Sequence, residues 1–229
     1  MAAIKRVRQH VNPLSNKYST PAAAPDWGDV FKNPQLPLHL DIGCAKGDFV
    51  RAMAHQLPDW NFLGLEIRAP LVERSLMKRD RDHQHNLHFI FCNANNSLRS
   101  VLANYPGGLQ RVSIQFPDPW FKKRHQKRRV VQPELVCVLA DLMVRSDSMV
   151  WLQSDIESVC VEMCDRFDEH PAFSRDGIKW LGDSPFPAKT DRERVTHEKG
   201  LPVYRARNFL SADPKSDVNF YKRRFIASF

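Results

Sequence analysis

The sequence predicts an α/β fold in which a mostly parallel sheet carries helices on both faces. Short apolar runs alternate with longer amphipathic segments between residues 38 and 167, which is the pattern of repeated strand and helix units. The length of 229 residues allows one domain with a full core, and 42% hydrophobic with 26% charged residues is an ordinary globular composition. We therefore expect one main domain over residues 36–210, between a basic, flexible arm over residues 1–35 and a basic and aromatic tail over residues 211–229.

The predicted elements follow one another in chain order. Residues 1–35 mix basic residues with prolines, which favours an extended arm. Apolar alternation predicts a strand at 38–42, and the next segment predicts a helix at 48–57 that Pro58 ends. The same reasoning gives strands at 62–66, 87–92, 111–116 and 149–153, and helices at 71–79, 133–144 and 156–167. After residue 170 a proline-rich loop interrupts the pattern, and residues 201–205 predict a late edge strand or hairpin.

Charge and cysteine usage restrict the class of protein. A net charge of +8 and a pI near 9.4 favour a polyanionic partner. The five cysteines are odd in number and form no C-x-x-C pair, and no apolar segment near the start resembles a secretory signal, so we expect reduced thiols in the cytoplasm. Cys160 and Cys164 lie one helical turn apart without a second ligand pair, which favours buried thiols and no metal site. No run of about 18 apolar residues predicts a membrane span.

Polar residues stand at the ends of the predicted strands. Asp41, Glu66, Asn93, Asp118 and Asp155 each follow an apolar run directly or within three residues. In an open parallel sheet, ligands bind beyond the carboxyl ends of the strands. The sequence therefore predicts that these side chains meet at one edge of the sheet and form a ligand site.

The turn after the first strand favours a nucleoside cofactor. Gly43 and Gly47 stand where the backbone bends tightly or approaches a ligand, but the dinucleotide pattern G-x-G-x-x-G is absent because Ala45 occupies the middle position. Glu66 follows Gly47 by about twenty residues, at a position from which a carboxylate accepts hydrogen bonds from both ribose hydroxyls. The alternative for Glu66 is an acid that stabilises the start of the next helix.

The most specific segment is Phe116-Pro117-Asp118-Pro119-Trp120, which is followed at once by a basic run. Two prolines restrict the backbone, so Asp118 is presented in one direction at the end of a strand. The basic run predicts phosphate contacts or, alternatively, a solvated charged surface; its cations are Lys122, Lys123, Arg124, Lys127, Arg128 and Arg129. Trp120 and Phe121 are candidates either for stacking on bases or for burial beside the strand.

Two weaker motifs have plain structural alternatives. Thr190 and Glu193 match a capping box, in which both side chains satisfy backbone donors at the start of a helix. His83, His85 and His88 have a metal-like spacing without further ligands, so we interpret them as surface histidines.

Together these segments resemble bacterial tRNA (guanine-N7-)-methyltransferases over roughly residues 36–207. The shared motifs are D-I-G-C-A-K-G at 41–47, G-L-E at 64–66, C-N-A at 92–94, F-P-D-P-W-F-K-K-R-H-Q-K-R-R at 116–129, Q-S-D at 153–155, and T-D-R-E at 190–193 followed by G-L-P-V-Y-R at 200–205. Ala45 narrows the first turn, and Asn93 stands where many relatives carry an aspartate.

The resemblance implies a Rossmann-like class I methyltransferase fold with a seven-stranded, mostly parallel sheet and an antiparallel C-terminal edge. It also implies transfer of a methyl group from S-adenosylmethionine to N7 of guanine 46 in the tRNA variable loop, with S-adenosylhomocysteine as the product. The partner is then tRNA, and we expect a cytoplasmic monomer or homodimer without an obligate protein partner.

The same resemblance assigns roles to individual residues. It implies contacts to the methyl donor from Asp41, Gly43, Gly47, Glu66, Asn93, Ala94 and Asp118. It implies Asp118 at the reaction centre, either stabilising charge or recognising the base. Substrate contacts are implied for Lys122, Asp155, Thr190 and Glu193, and RNA contacts are expected from Arg124, Lys127, Arg128 and Arg129.

Two other functional classes fit parts of the pattern. A nicotinamide-dependent oxidoreductase shares the predicted topology, but the dinucleotide fingerprint and an obvious Tyr-x-x-x-Lys relay are absent. A non-catalytic RNA-binding protein would account for the charge but not for the full set of acids at the strand ends. The methyltransferase interpretation is therefore the leading one.

Overall fold

A computed structural model describes residues 10–144, 148–177 and 179–211. Seven strands in this part of the chain form one sheet. Their bounds are β1 Leu38–Ile42, β2 Asn61–Glu66, β3 Leu87–Phe91, β4 Leu109–Gln115, β5 Met149–Ser154, β6 Phe173–Arg175 and β7 Tyr204–Leu210.

Helices cover both faces of the sheet and connect the strands. They are α1 Trp27–Val30, α2 Asp48–Gln56, α3 Ala69–Arg81, α4 Ala94–Leu102, α5 Pro133–Leu142, α6 Glu157–Asp168 and α7 Asp191–Glu198. Two short 3₁₀ helices lie at Asn16–Tyr18 and Lys123–Arg128.

The strand order is β3-β2-β1-β4-β5-β7-β6. β1 to β5 pair in parallel with one another, whereas β7 is antiparallel to both β5 and β6. This arrangement confirms the predicted α/β class with an antiparallel C-terminal edge. β7 begins three residues later than the strand predicted at 201–205, and it lies between two strands because β6 occupies the edge.

Each face of the sheet has its own apolar core. One core packs β1, β4 and β5 against α4, α5 and α6 around Leu40, Ile114 and Leu152. The other lies under α2 and α3 and contains Phe62 and Trp151. Because both faces are covered, β1, β2 and β5 are buried along their whole length, as expected for a parallel sheet.

Residues 10–35, the described part of the predicted arm, pack against the end of the sheet. Trp27 and Phe31 are buried and stack on each other, with the Tyr105 ring edge-on to both. The backbone N–H of Ala22 donates to Ser97 Oγ at 3.1 Å, and the Ala22 carbonyl accepts from Ser100 Oγ at 2.7 Å. These contacts fix the segment to α4, near the ends of the parallel strands. The predicted tail lies outside the described residues except for Ser211.

Several elements differ from the sequence predictions. The helices α1 and α4 and the three-residue strand β6 lie in segments for which the sequence pattern predicted no element, whereas α7 begins at the Thr190 capping motif. The predicted helix at 133–144 ends two residues earlier, and the one at 71–79 is longer by two residues at each end. All five cysteines are buried. Within the described ranges, no helix combines the length and apolarity that a bilayer span requires.

A buried histidine connects the sheet interior to the strand ends. The side chain of His39 is fully buried in β1, and its Nε2 lies 2.9 Å from Ser113 Oγ of the neighbouring strand β4. Burial, assisted by the charge of Arg111, lowers the pKa of His39 to about 3. The Ser113 hydroxyl donates at 2.6 Å to Asp41 Oδ1, so the neutral imidazole must donate to the serine.

We expect His39 to make the protein less stable as the pH falls. Because its pKa of about 3 in the folded chain lies below the ordinary value of 6.5, the unfolded chain takes up the proton first. The neutral His39 ring contributes fully to the free energy of unfolding well above pH 6.5. This contribution decreases by about 1.4 kcal/mol between pH 7.5 and pH 5.5. Urea unfolding of the wild type and His39→Gln at both pH values measures this difference.

The His39→Gln variant should show the smaller decrease, because its amide can still donate to Ser113 but does not titrate. The exposed His55→Gln serves as the matched control and should retain the wild-type pH dependence. Equal pH dependence in wild type and His39→Gln would contradict a buried neutral ring.

Candidate active site

A cavity of about 610 Å³ opens at the carboxyl ends of the parallel strands. This volume is typical of sites for small molecules, which occupy roughly 300–1,000 Å³. Its lining includes nine of the predicted site residues: Asp41, Gly43, Glu66, Asn93, Ala94, Asp118, Arg128, Asp155 and Thr190. Gly47, Lys122 and Glu193 are not among the lining residues.

The turn between β1 and α2 is wound in the left-handed region. Gly43, Ala45 and Gly47 have φ angles of 83°, 51° and 69°. A methyl group added at Gly43 would have no atom within 4 Å, so this glycine borders open space, whereas one at Gly47 would come within 2.5 Å of the Phe89 ring. Gly43 therefore leaves room for a ligand, and Gly47 allows the turn to pack on β3.

Glu66 holds this turn in place. Its carboxylate is 2% exposed and accepts the Ala45 N–H at 2.9 Å. It also accepts the backbone N–H of Arg68 at 2.9 Å and two bonds from the Arg68 guanidinium, at 2.8 and 2.9 Å. Four donors fill the acceptor positions of a carboxylate. A ligand hydroxyl that binds Glu66 must therefore replace a bond from Arg68, the one side-chain donor of the set.

Asp41 lies at the base of the cavity and is almost fully buried. Its Oδ1 accepts from Ser113 Oγ at 2.6 Å and from Gln115 Nε2 at 3.4 Å. Burial raises the pKa of Asp41 to about 6, partly opposed by these two hydrogen bonds, while the charge of Glu66 raises it further. The carboxylate is thus a strongly oriented acceptor with one side facing the cavity.

Asn93 caps α4 and binds the N-terminal segment. Its Oδ1 accepts the Asn95 N–H at 3.2 Å, and its Nδ2 donates at 3.2 Å to the Pro13 carbonyl. An aspartate at this position would retain the cap but would lose the donor to Pro13. This second contact gives a physical reason for the amide in this chain.

Asp118 is presented by a strained loop. Phe116 and Trp120, on either side of it, have φ angles of 49° and 41°, which are unfavourable for bulky side chains. The Asp118 carboxylate is 40% exposed at the mouth of the cavity, and its Oδ1 lies 2.7 Å from His10 Nδ1. The loop therefore directs one solvent-accessible acid toward the cavity, where the N-terminal segment contacts it.

The basic run after this loop is divided between exposed and engaged cations. Lys122, Lys123, Arg124 and Lys127 are exposed. Arg128 lies 5.0 Å above the Trp120 ring, which also contacts His125 edge-on. Arg129 bonds to the Pro119 carbonyl and to Glu162. Only part of the predicted phosphate-binding run thus faces solvent.

The opposite wall of the cavity comes from β5 and α7. Asp155 Oδ2 accepts from Arg192 Nε at 2.9 Å, and Thr190 caps α7 by accepting the Glu193 N–H at 3.0 Å. Glu193 is buried and accepts from Arg205 Nη2 at 2.8 Å, so its carboxylate faces β7 and does not complete the capping box. The structure brings Asp155 and Thr190 to the cavity. Glu193 points away from the cavity and fixes α7 to β7 through Arg205.

Sequence reasoning missed several residues that line the cavity. Arg68 and Arg192 pair with predicted acids, and His10 contacts Asp118 from a segment predicted to be a flexible arm. Phe121, by contrast, was already a candidate for stacking or burial; it lines the cavity and is 71% exposed, so it is not buried beside the strand. The sequence signal for Arg68 and Arg192 was their position within two residues of a motif acid; His10 carried no such signal.

The sequence matches known proteins over most of its length. It matches the model of a family described as putative methyltransferase over residues 35–206. The tRNA (guanine-N(7)-)-methyltransferase of Trichormus variabilis is 57% identical over 203 residues, which cover 88% of this chain and 94% of the relative. The protein of the same name from Thermosynechococcus vestitus is 50% identical over 204 residues, covering 89% and 94%.

Solved structures share the fold at low sequence identity. The 16S rRNA methyltransferase KamB is 14% identical with a TM-score of 0.57, covering 83% of this chain and 95% of its own. A precorrin-6y C5,15-methyltransferase from Geobacter metallireducens is 11% identical with a TM-score of 0.51, covering 88% and 97%. These likenesses confirm the predicted class I methyltransferase fold.

The two glycines of the first turn should respond differently to alanine. Gly43→Ala and Gly47→Ala share the strain of a positive φ, but only the second methyl meets the Phe89 ring. We expect Gly47→Ala to lose about 1–3 kcal/mol more free energy of unfolding than Gly43→Ala, which is the usual cost of overpacking. Urea unfolding of both variants measures the difference, and equal losses would contradict the described packing.

Proposed function

Because the chain belongs to the tRNA (guanine-N7-)-methyltransferase family, we propose that it transfers the methyl group of S-adenosylmethionine to N7 of guanine 46 in the tRNA variable loop. The observation that carries this proposal is Asp118, held at the mouth of a nucleoside-sized cavity and next to a run of exposed cations. In keeping with the sequence, we propose a cytoplasmic enzyme that acts as a monomer or homodimer.

The residues around the cavity suit a nucleoside-bearing methyl donor. The open space at Gly43 allows a ligand to approach the backbone closely, and Glu66 offers a buried carboxylate at the end of β2. We propose that Glu66 accepts from the ribose hydroxyls once Arg68 releases part of the carboxylate, and that Asn93 and Ala94 contact the adenine. Asp41 would contact the amino acid portion from the base of the cavity.

The proposed methyl transfer to N7 does not require a general base. When bound, S-adenosylmethionine supplies an electrophilic methyl group on a sulfonium. N7 of guanine carries its own lone pair, so the attack removes no proton, and correct positioning is the main task of the protein.

Asp118 has two compatible roles in the proposed reaction. The purine becomes cationic as the methyl group arrives, and a nearby carboxylate stabilises that developing charge. A carboxylate also accepts from N1 and N2 of guanine, whereas adenine presents an acceptor at N1. Since His10 occupies Asp118 Oδ1 in this structure, a guanine would displace that contact.

The exposed cations form the proposed tRNA surface. Lys122, Lys123, Arg124 and Lys127 lie directly after the Asp118 loop, where phosphates on either side of an inserted base would pass. Lys122, together with Asp155 and Thr190 of the opposite wall, remains a proposed substrate contact. For the buried Glu193 we propose an indirect role, in which it holds the helix that carries Thr190.

Methyl transfer is the first test of the proposal. Labelled methyl from S-adenosylmethionine should be incorporated into unmodified tRNA, and mild base followed by aniline should cleave at one variable-loop guanine. Asp118→Asn is expected to lower the rate at least tenfold, because it removes the charge and one acceptor. No incorporation across a panel of tRNAs would favour a non-catalytic RNA-binding protein.

A tRNA in which guanine 46 is replaced by adenine is the matched control for position. It should bind with similar affinity and accept no methyl group. Incorporation at an unchanged rate would exclude that position as the target. Binding of S-adenosylhomocysteine but not NAD would separate the proposed enzyme from an oxidoreductase of the same topology.

Salt dependence tests the proposed tRNA surface. Each cation that neutralises one phosphate contributes about 0.7–0.9 to the slope of log affinity against log salt. We expect Lys127→Ala to weaken tRNA binding and to reduce the magnitude of the slope by about this amount. Titration of wild type and variant with tRNA at several salt concentrations measures it. An unchanged slope would remove Lys127 from the surface.

A further inference from the structure

We propose that Arg129 and Glu162 form a positioning pair that holds the Asp118 loop in its reactive geometry, and that Arg129 does not contact RNA phosphates. The inference rests on the proposed function, since it assigns the pair a role in that reaction. It separates one arginine from a basic run that would otherwise be interpreted as a single RNA-binding surface.

The guanidinium of Arg129 bridges the loop and a helix. Its Nε donates at 2.7 Å to the carbonyl of Pro119, the residue directly after Asp118. Its Nη1 donates to Glu162 Oε2 on α6. Arg129 thus uses separate nitrogens for the two partners and joins the backbone of the loop to the side chain of a helix.

The burial of Arg129 differs from that of the cations before it. Its side chain is 11% exposed and that of Glu162 is 26% exposed, whereas Lys122, Lys123, Arg124 and Lys127 are exposed. A charge removed from water in this way needs a partner, and Glu162 provides it. The buried guanidinium of Arg129 presents little surface to a phosphate, whereas the side chains of the exposed cations are accessible to one.

The backbone around Arg129 is itself fixed. Its N–H donates at 2.9 Å to the Gln126 carbonyl, and its own carbonyl accepts from Gln132 Nε2 at 2.9 Å. Glu162 lies on α6, which is packed into the core through Val159 and Met163. Both ends of the bridge are therefore anchored in rigid structure.

The loop needs such an anchor because its backbone is strained. Phe116 and Trp120 adopt positive φ angles, a conformation that persists only when surrounding contacts impose it. The Phe116 N–H is held by the Gln153 carbonyl at 2.7 Å, which fixes the start of the loop. Arg129 supplies the corresponding contact after Asp118, so the carboxylate is held between two tethered points.

The Arg129→Lys variant distinguishes a phosphate contact from positioning of the Asp118 loop. It keeps the positive charge, which is sufficient for a phosphate contact, but it lacks the planar group that reaches a carbonyl and a carboxylate from separate nitrogens. We expect Arg129→Lys and Glu162→Gln to lower kcat about 10- to 100-fold at saturating tRNA, the effect of a misplacement near 1 Å. The KM and the Kd for tRNA should remain within about twofold of the wild type, because the exposed cations are intact.

Charge removal gives a second, independent measurement. Arg129→Gln should leave the salt slope of tRNA binding at its wild-type value, in contrast to Lys127→Ala, which should reduce its magnitude by about 0.7–0.9. The double variant Arg129→Lys/Glu162→Gln should be little slower than either single variant, because all three break the same bridge.

The matched controls come from the ion pair of Arg166 and Glu169, which lies further along α6 at 3.3 Å and does not touch the loop. Arg166→Lys and Glu169→Gln make the same chemical changes and should retain wild-type kcat. Hydrogen exchange of a peptide covering 116–122 should increase in Arg129→Lys and stay unchanged in Arg166→Lys, at equal global stability.

The outcomes separate the two proposals. A wild-type kcat in Arg129→Lys, or a reduced salt slope with weaker tRNA binding in Arg129→Gln, would overturn the positioning pair and assign Arg129 to the RNA surface. If the wild type methylates no tRNA, the proposed function fails, while the exchange measurement still tests whether the bridge holds the loop.

Discussion

The buried carboxylate of Glu66 is the constraint on which the cavity depends. A charge in this position costs several kcal/mol unless it is compensated, and its compensation comes from the Ala45 N–H and from Arg68. The first donor belongs to the turn after β1 and the second to the turn after β2. Both turns must therefore keep the conformation that reaches Glu66, including the positive φ of Ala45. The hydrogen bonds to the Glu66 carboxylate therefore fix the two turns that border the space for a ligand.

Much of the fold was predictable because it depends on short-range patterns. The parallel strands have continuous apolar runs, and the helices α2, α5 and α6 have an amphipathic period with proline near an end or polar termini. The pattern was uninformative where tertiary contacts decide the structure. β6 has three residues and is defined by pairing with β7, and α7 is stabilised by the buried ion pair of Glu193 with Arg205 of the next strand, β7.

The residues at the strand ends of the candidate site were predictable from the sequence, but the partners of the cations were not. Residues at strand ends must meet in a parallel sheet, so Asp41, Glu66, Asn93 and Asp118 came together from spacing alone. The sequence could not show which cations face solvent, because neighbours in a basic run differ only in their three-dimensional partners. Arg129 finds a carboxylate 33 residues further along the chain. Such pairing has no local signature.

The position of β7 between β5 and β6 makes one late strand necessary for both the sheet edge and a wall of the cavity. Within the described sheet β6 pairs with β7, so residues 173–175 join the sheet through residues 204–210. Arg205 of β7 also holds Glu193 in α7, the helix from which Arg192 reaches Asp155. The acids at the strand ends all come earlier in the chain, before β6 and β7. The opposite wall of the cavity therefore depends on the last described strand, because β7 holds the helix that faces Asp155.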